Sequence, residues 1–91
     1  MLILVQIDLS GADIALFESY EARALALLSK YGGRLEERVR AVSSTAEMQL
    51  LYFPDERALS AFRLDPSRAA LREDWVRCGA SSQLSEVVRI G

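Results

Sequence analysis

The chain contains no histidine and no asparagine, and it has one cysteine and one lysine among 91 residues. Without histidine there is no Ser/His or Cys/His nucleophilic system, no His-ligated haem, and none of the usual histidine-containing zinc or iron sites. Any chemistry must run on Asp, Glu, Arg, Tyr, Trp or a bound cofactor, and nothing in the residues calls for a cofactor. The lone Cys78 has no internal partner for a disulfide, which fits a reducing compartment. No apolar run approaches the roughly 18 residues of a membrane span. The opening from Met1 to Val5 lacks the length and positive flank of a secretion signal, since the first basic residue is Arg23. The expected location is the cytoplasm, away from any membrane.

What is present is a balanced charge, 11 basic against 13 acidic residues, with ten of the basic ones arginine. No face of the pattern gathers basic residues free of acids, so a nucleic-acid partner is not expected. The length predicts one domain spanning residues 1–91, which buries only about 60 to 65% of its unfolded surface. Such a thin core, in a chain that is 51% apolar, favours a partner subunit, and a homodimer is the commonest solution.

Alternation over Leu2 to Leu9 predicts a strand with Ile3, Val5 and Ile7 on one face and Leu4, Gln6 and Asp8 on the other. Ser10 and Asp13 resemble a capping box for a helix over residues 12–31. On a helical wheel Ile14, Phe17, Tyr20, Ala24, Leu25, Leu27, Leu28 and Tyr31 form one arc, with Glu21 inside it. Gly32 is the expected left-handed cap. A second strand over 34–42 alternates Leu35, Glu37, Val39 and Ala41 against Arg34, Glu36, Arg38 and Arg40. Ser43 to Thr45 make a hairpin turn into a third strand over 47–53. Pro54 stops it, Asp55 caps a helix through Phe62, and Asp65-Pro66 restarts that helix to about Arg77, with Leu71 and Trp75 as its buried pair. A last strand covers 83–90.

The order βαββαβ predicts an α+β, ferredoxin-like fold: a four-stranded antiparallel sheet with two helices on one face and the other face open. The open face is expected to carry Leu4, Gln6, Asp8, the arginines of strand two and part of strands three and four.

Glu21 is the main candidate for chemistry. A carboxylate inside an apolar arc is either paired or raised in pKa by desolvation, and in the second case it suits a general base toward an acidic carbon or phenol. Arg34, directly after the glycine turn, suits bidentate capture of a carboxylate or enolate, or else an ion pair with Glu36, Glu86 or Glu21. Glu21 and Arg34 are expected to approach each other. Tyr20, Tyr52 and Trp75 are candidate walls for a planar ligand, a role that competes with ordinary core packing. Arg38 and Arg40 are expected to pair with Glu36 and Glu37.

Several of these residues carry a family resemblance. Phe17 to Tyr20 ahead of Leu27-Leu28, then Tyr31-Gly32-Gly33-Arg34, then Tyr52-Phe53-Pro54-Asp55 before Ala58 and Phe62, are similar to the DUF1330 family of dimeric α/β barrels. The likeness runs from Gln6 to about Arg72. It implies two subunits packed through their open sheet faces, with a pocket in or beside each. The wider superfamily includes cofactor-free quinol monooxygenases, haem-degrading enzymes, muconolactone-type isomerases and small-molecule sensors. The stretch from Ala41 to Glu47 is shorter than usual there, and the asparagine of the monooxygenase sites is absent. The expectation is a small-molecule-binding dimer that takes a small organic anion or aromatic compound, acting as a cofactor-independent monooxygenase or isomerase; the alternative is a non-catalytic binding, regulatory or dimerisation module.

Overall fold

A computed structural model describes all residues, 1–91. The elements run β1 (Leu2–Asp8), α1 (Ile14–Leu25), a 3₁₀ turn (Leu28–Tyr31), β2 (Arg34–Arg40), β3 (Ala46–Tyr52), α2 (Glu56–Arg63), α3 (Pro66–Ala69), α4 (Arg72–Cys78) and β4 (Ser81–Val87). The strands form one sheet in the order β2-β3-β1-β4, and every neighbouring pair is antiparallel. This is the ferredoxin-like α+β fold expected from the sequence. The Cα extents of 36 × 34 × 16 Å are those of a slab, one sheet under one layer of helices.

Local chemistry sets the boundaries. Asp13 caps α1 itself, its carboxylate accepting from the Leu16 amide at 3.1 Å, so the helix begins later than a Ser10 cap would place it. The predicted single helix to Tyr31 stops at Leu25 and continues as the 3₁₀ turn. Gly32 closes that turn in the left-handed region, φ 71°. The second helical stretch is in three pieces. Asp65 takes the extended conformation that a residue before proline prefers, and its side chain accepts from the amides of Ser67 and Arg68 to start α3.

The core lies between sheet and helices. Ile3, Val5, Ile7 and Leu9 of β1 meet Phe17, Leu28, Leu51, Phe53, Phe62 and Cys78, while Tyr20, Ala24 and Leu71 form a second cluster against Trp75. Along β3 the inward residues are Glu47, Gln49, Leu51 and Phe53, all buried. Leu4, Met48, Leu50 and Tyr52 therefore face the uncovered side.

Strand β2 departs from simple alternation. Leu35 pairs with Leu51, but Glu37 pairs with Leu50, so Glu36 is an extra residue in a β-bulge. One extra residue inverts every side chain beyond it. Arg34, opposite Tyr52, is on the open face; Arg38 and Arg40, opposite Gln49 and Glu47, are on the helix face. The expectation that all three arginines share the open face is corrected by this bulge.

Candidate functional site

On the helix side of the sheet lies a cavity of about 340 Å³, within the range of small-molecule sites. Val5 and Ile7 of β1, Gln49 and Leu51 of β3, and Ser82 and Leu84 of β4 supply its sheet wall; Tyr20, Glu21, Ala24, Leu25, Trp75 and the α2–α4 segment supply the other. Its inner end is closed by the buried pair Glu21 and Gln49. Trp75 packs on Tyr20, ring centroids 5.0 Å apart, and fixes the aromatic wall.

Glu21 points inward because it shares the buried arc of α1 with Phe17, Tyr20 and Ala24, and it is only 6% exposed. Gln49 donates from Nε2 to Glu21 Oε2 at 3.1 Å and to Glu47 Oε2 at 2.7 Å. Carboxylates only accept, so the two acids fix the amide nitrogen of Gln49 between them. Burial pushes the Glu21 carboxyl above its ordinary value, opposed by the Gln49 hydrogen bond and reinforced by the nearby Glu47. Burial also raises the Tyr20 phenol, against the pull of Arg68.

Behind this pair is an ion network. The Glu47 carboxylate, 1% exposed, accepts from Arg38 Nε at 2.8 Å and from Arg40 Nη2 at 2.6 Å. Burial would raise its pKa, but the bonds from Arg38, Gln49 and Arg40 outweigh that and hold it below the usual carboxylate range. Glu18 of α1 completes the network, its carboxylate bonded to Arg40 and lying 3.5 Å from Arg38. The partners of Arg38 and Arg40 are thus Glu47 and Glu18 rather than Glu36 and Glu37.

Of the residues singled out from the sequence, Tyr20, Glu21 and Trp75 come together in the cavity. Arg34 and Tyr52 do not: they lie on the other face, the Arg34 guanidinium 4.0 Å from the centroid of the Tyr52 ring and 2.7 Å from Glu36. The expected approach of Arg34 to Glu21 is therefore absent, and the arginine nearest Glu21 in the network is Arg38. Arg34, paired with Tyr52, projects from the face opposite to α1, and the bulge that follows it is what brings Arg38 to the helix side. Gln49 and Glu47 were missed by the sequence reading. Their signal was polar residues at two positions of β3 that alternate in phase with the apolar Leu51 and Phe53. No group of three or more His, Cys, Asp or Glu is placed to hold a metal ion, and no helix is long and apolar enough to cross a membrane.

No protein-family profile and no curated protein matches the sequence. Solved structures do match the fold. The cofactor-independent oxygenase SnoaB from Streptomyces nogalater superposes with TM-score 0.72 at 16% identity, over 98% of this chain and 93% of that one. A candidate antibiotic biosynthesis monooxygenase from Nitrosomonas europaea gives 0.65 at 7% identity, over 98% and 100%. An uncharacterized NIPSNAP domain protein from Burkholderia xenovorans gives 0.60 at 17% identity, over 97% and 95%. At these identities the likeness is one of fold: the chain has the ferredoxin-like α+β architecture of NIPSNAP and monooxygenase-type proteins.

Proposed function

We propose that the protein is a small-molecule-binding homodimer that acts on a planar organic compound by cofactor-independent proton transfer, with Glu21 as the base. The observation that carries this reading is Glu21 itself, a buried carboxylate at the inner end of a ligand-sized cavity, held through one oxygen by Gln49 while Oε1 takes no hydrogen bond. A raised pKa makes such a carboxylate a stronger base once ionised, and it faces an apolar wall that strips water from a bound acid.

The chemistry follows from that arrangement. Glu21 Oε1 takes a proton from an acidic carbon or a phenol of the ligand, while Tyr20 and Trp75 hold the ring. Return of that proton to a different carbon is an isomerisation. If the carbanion instead meets O₂, a methylene becomes a carbonyl and one molecule of O₂ leaves as one carbonyl oxygen and one water, with no cofactor needed. The fold likeness to SnoaB supports the oxygenase branch. The dimer would join open sheet faces, which places Arg34 and Tyr52 at the subunit contact. The position of Arg34 away from Glu21 favours, as a second reading, a binding module without turnover.

Both branches share proton abstraction, so the test is hydrogen–deuterium exchange into the acidic methylene of 2-tetralone, followed by proton NMR, with O₂ uptake measured alongside. The wild-type protein is expected to accelerate exchange, and Glu21→Gln to lose about 10²- to 10⁴-fold of that acceleration, the usual worth of a positioned base. Exchange at the same rate in both proteins, while 2-tetralone still binds, would leave the binding-module reading.

A further inference from the structure

Of the ten arginines, four are ion-paired and six, Arg57, Arg63, Arg68, Arg72, Arg77 and Arg89, are not; three of those six line the cavity. Arg23, Arg34, Arg38 and Arg40 are each ion-paired with a carboxylate, to Asp74, Glu36, Glu47 and Glu18. Arg63, Arg68 and Arg72 have no carboxylate within salt-bridge distance, and all three line the cavity that holds Glu21. Glu21 is the only acid among the lining residues. Asp65, the acid nearest Arg63 and Arg68 in sequence, is taken up by Lys30 at 2.8 Å and by the Tyr31 hydroxyl; beside Arg72, Asp74 pairs with Arg23 and Glu73 does not line the cavity.

The broken helix is what gathers them. In one continuous α-helix Arg63 and Arg68 would project about 140° apart, on different faces. The Asp65-Pro66 interruption lets α2 end on Arg63, α3 carry Arg68 and α4 begin on Arg72, all beside one opening. Arg63 and Arg72 are exposed and Arg68 is half-buried, so they stand at the solvent end while Glu21 and Gln49 stand at the closed end. Arg68 is held in place, its guanidinium 5.2 Å from the Phe62 ring centroid and donating to the Arg63 carbonyl at 3.5 Å.

We infer that Arg63, Arg68 and Arg72 form an anion clamp, and that the ligand is an amphiphilic oxyanion whose carboxylate, phosphate or sulfonate sits at this rim while its apolar ring lies inward against Tyr20 and Trp75. The orientation is fixed by charge, because the rim is cationic and the inner end offers a carboxylate that repels the anion. The carbon presented to Glu21 is therefore the one farthest from the head group. This rests on the cavity being the binding site, and it replaces Arg34 with three residues of the α2–α4 segment as the recognition element. Planar guanidinia suit any of these oxyanions.

Trp75 is the only tryptophan and lines the cavity, so contact quenching of its fluorescence reports occupancy. The probes are 4-nitrobenzoate, 4-nitrophenyl phosphate and the neutral 4-nitrobenzyl alcohol. Both anions, or either, are expected to quench saturably and at least tenfold more tightly than the alcohol, the tighter one naming the head group. Arg68→Gln/Arg72→Gln should weaken the anions at least tenfold and leave the alcohol unchanged; Arg72→Gln alone, which leaves the Arg68 stack on Phe62 intact, should give a smaller loss in the same direction. Arg57→Gln/Arg77→Gln, outside the cavity, should change nothing. Equal affinity for anions and alcohol, no saturable quenching by either anion, or anion binding untouched in Arg68→Gln/Arg72→Gln would overturn the clamp. Glu21→Gln separates this from the proton-transfer reading: a clamp with no chemistry binds the anions in both proteins and exchanges protons in neither.

Discussion

Single residues here are decided by what surrounds them. Glu21 is the clearest case, since desolvation raises its pKa and so the folded protein binds that proton more tightly than the unfolded chain does. By linkage, folding stability falls as pH rises from the ordinary glutamate value, about 4.3, through the raised folded value. Glu21→Gln removes this dependence, so thermal melts should show the variant gaining on the wild type as pH goes from 4 to 8. The lowered carboxyls of Asp65 and Glu47 slope the other way, losing stability as pH falls; Asp65, remote from Glu21, does so equally in both proteins. A variant whose relative stability is flat with pH would mean that Glu21 is solvated. Gly32 tests geometry instead of charge. Its φ is 71° and an added Cβ would lie 3.3 Å from Pro54 Cγ, so Gly32→Val should cost about 1–3 kcal/mol by backbone strain, read as a lower denaturation midpoint.

At the scale of elements the β2–β3 hairpin does the most. The bulge at Glu36 turns Arg38 and Arg40 inward, and Glu47 becomes the buried anchor for both. Removing that carboxylate leaves two guanidinia under α1 with Glu18 as their one remaining acid. Both keep some contact with solvent, 29% and 28% exposed, so Glu47→Ala should cost about 3 kcal/mol, the low end for orphaning a buried charge. It should also loosen Gln49 and with it Glu21. Urea unfolding checks the first effect, and the pH dependence of the melt in the Glu47→Ala background checks the second. A loss under 0.5 kcal/mol, the scale of an ordinary surface change, would show that the network is solvated.

The whole molecule is a two-layer slab with helices on one side only. Leu4, Met48, Leu50 and Tyr52 lie on the uncovered face, and Val39 and Met48 there are 56% and 43% exposed. An antiparallel sheet tolerates one wet face when that face is polar; this one is mixed, which is the basis for the proposed second copy. Light scattering at micromolar concentration should give about twice the 10.1 kDa subunit mass. Leu50→Glu, a charge placed at the centre of the face, should halve the mass while leaving the helix-side cavity and its anion binding in place. A wild-type monomer would remove the barrel from the functional reading.

The element order, the sheet and the two glycine and proline punctuation points were legible in the chain, because alternation, helical arcs, caps and breakers are local and each is written in a few adjacent residues. The Asp65-Pro66 restart and the Gly32 cap are of this kind, and so is the anomaly of Glu21 inside an apolar arc. The partners of Glu21 were not legible. One unpaired residue at Glu36, invisible to a period-two pattern, reverses the strand beyond it, so that Arg38 and Arg40 join Glu21, Gln49 and Glu47 on the helix face while Arg34, ahead of it, stays with Tyr52 on the other. The gathering of Arg63, Arg68 and Arg72 likewise depends on the angles between three short helices. Sequence determines which way each side chain is inclined within its own element; which chains then meet depends on register and helix placement, and those are settled by packing contacts between residues far apart in the sequence.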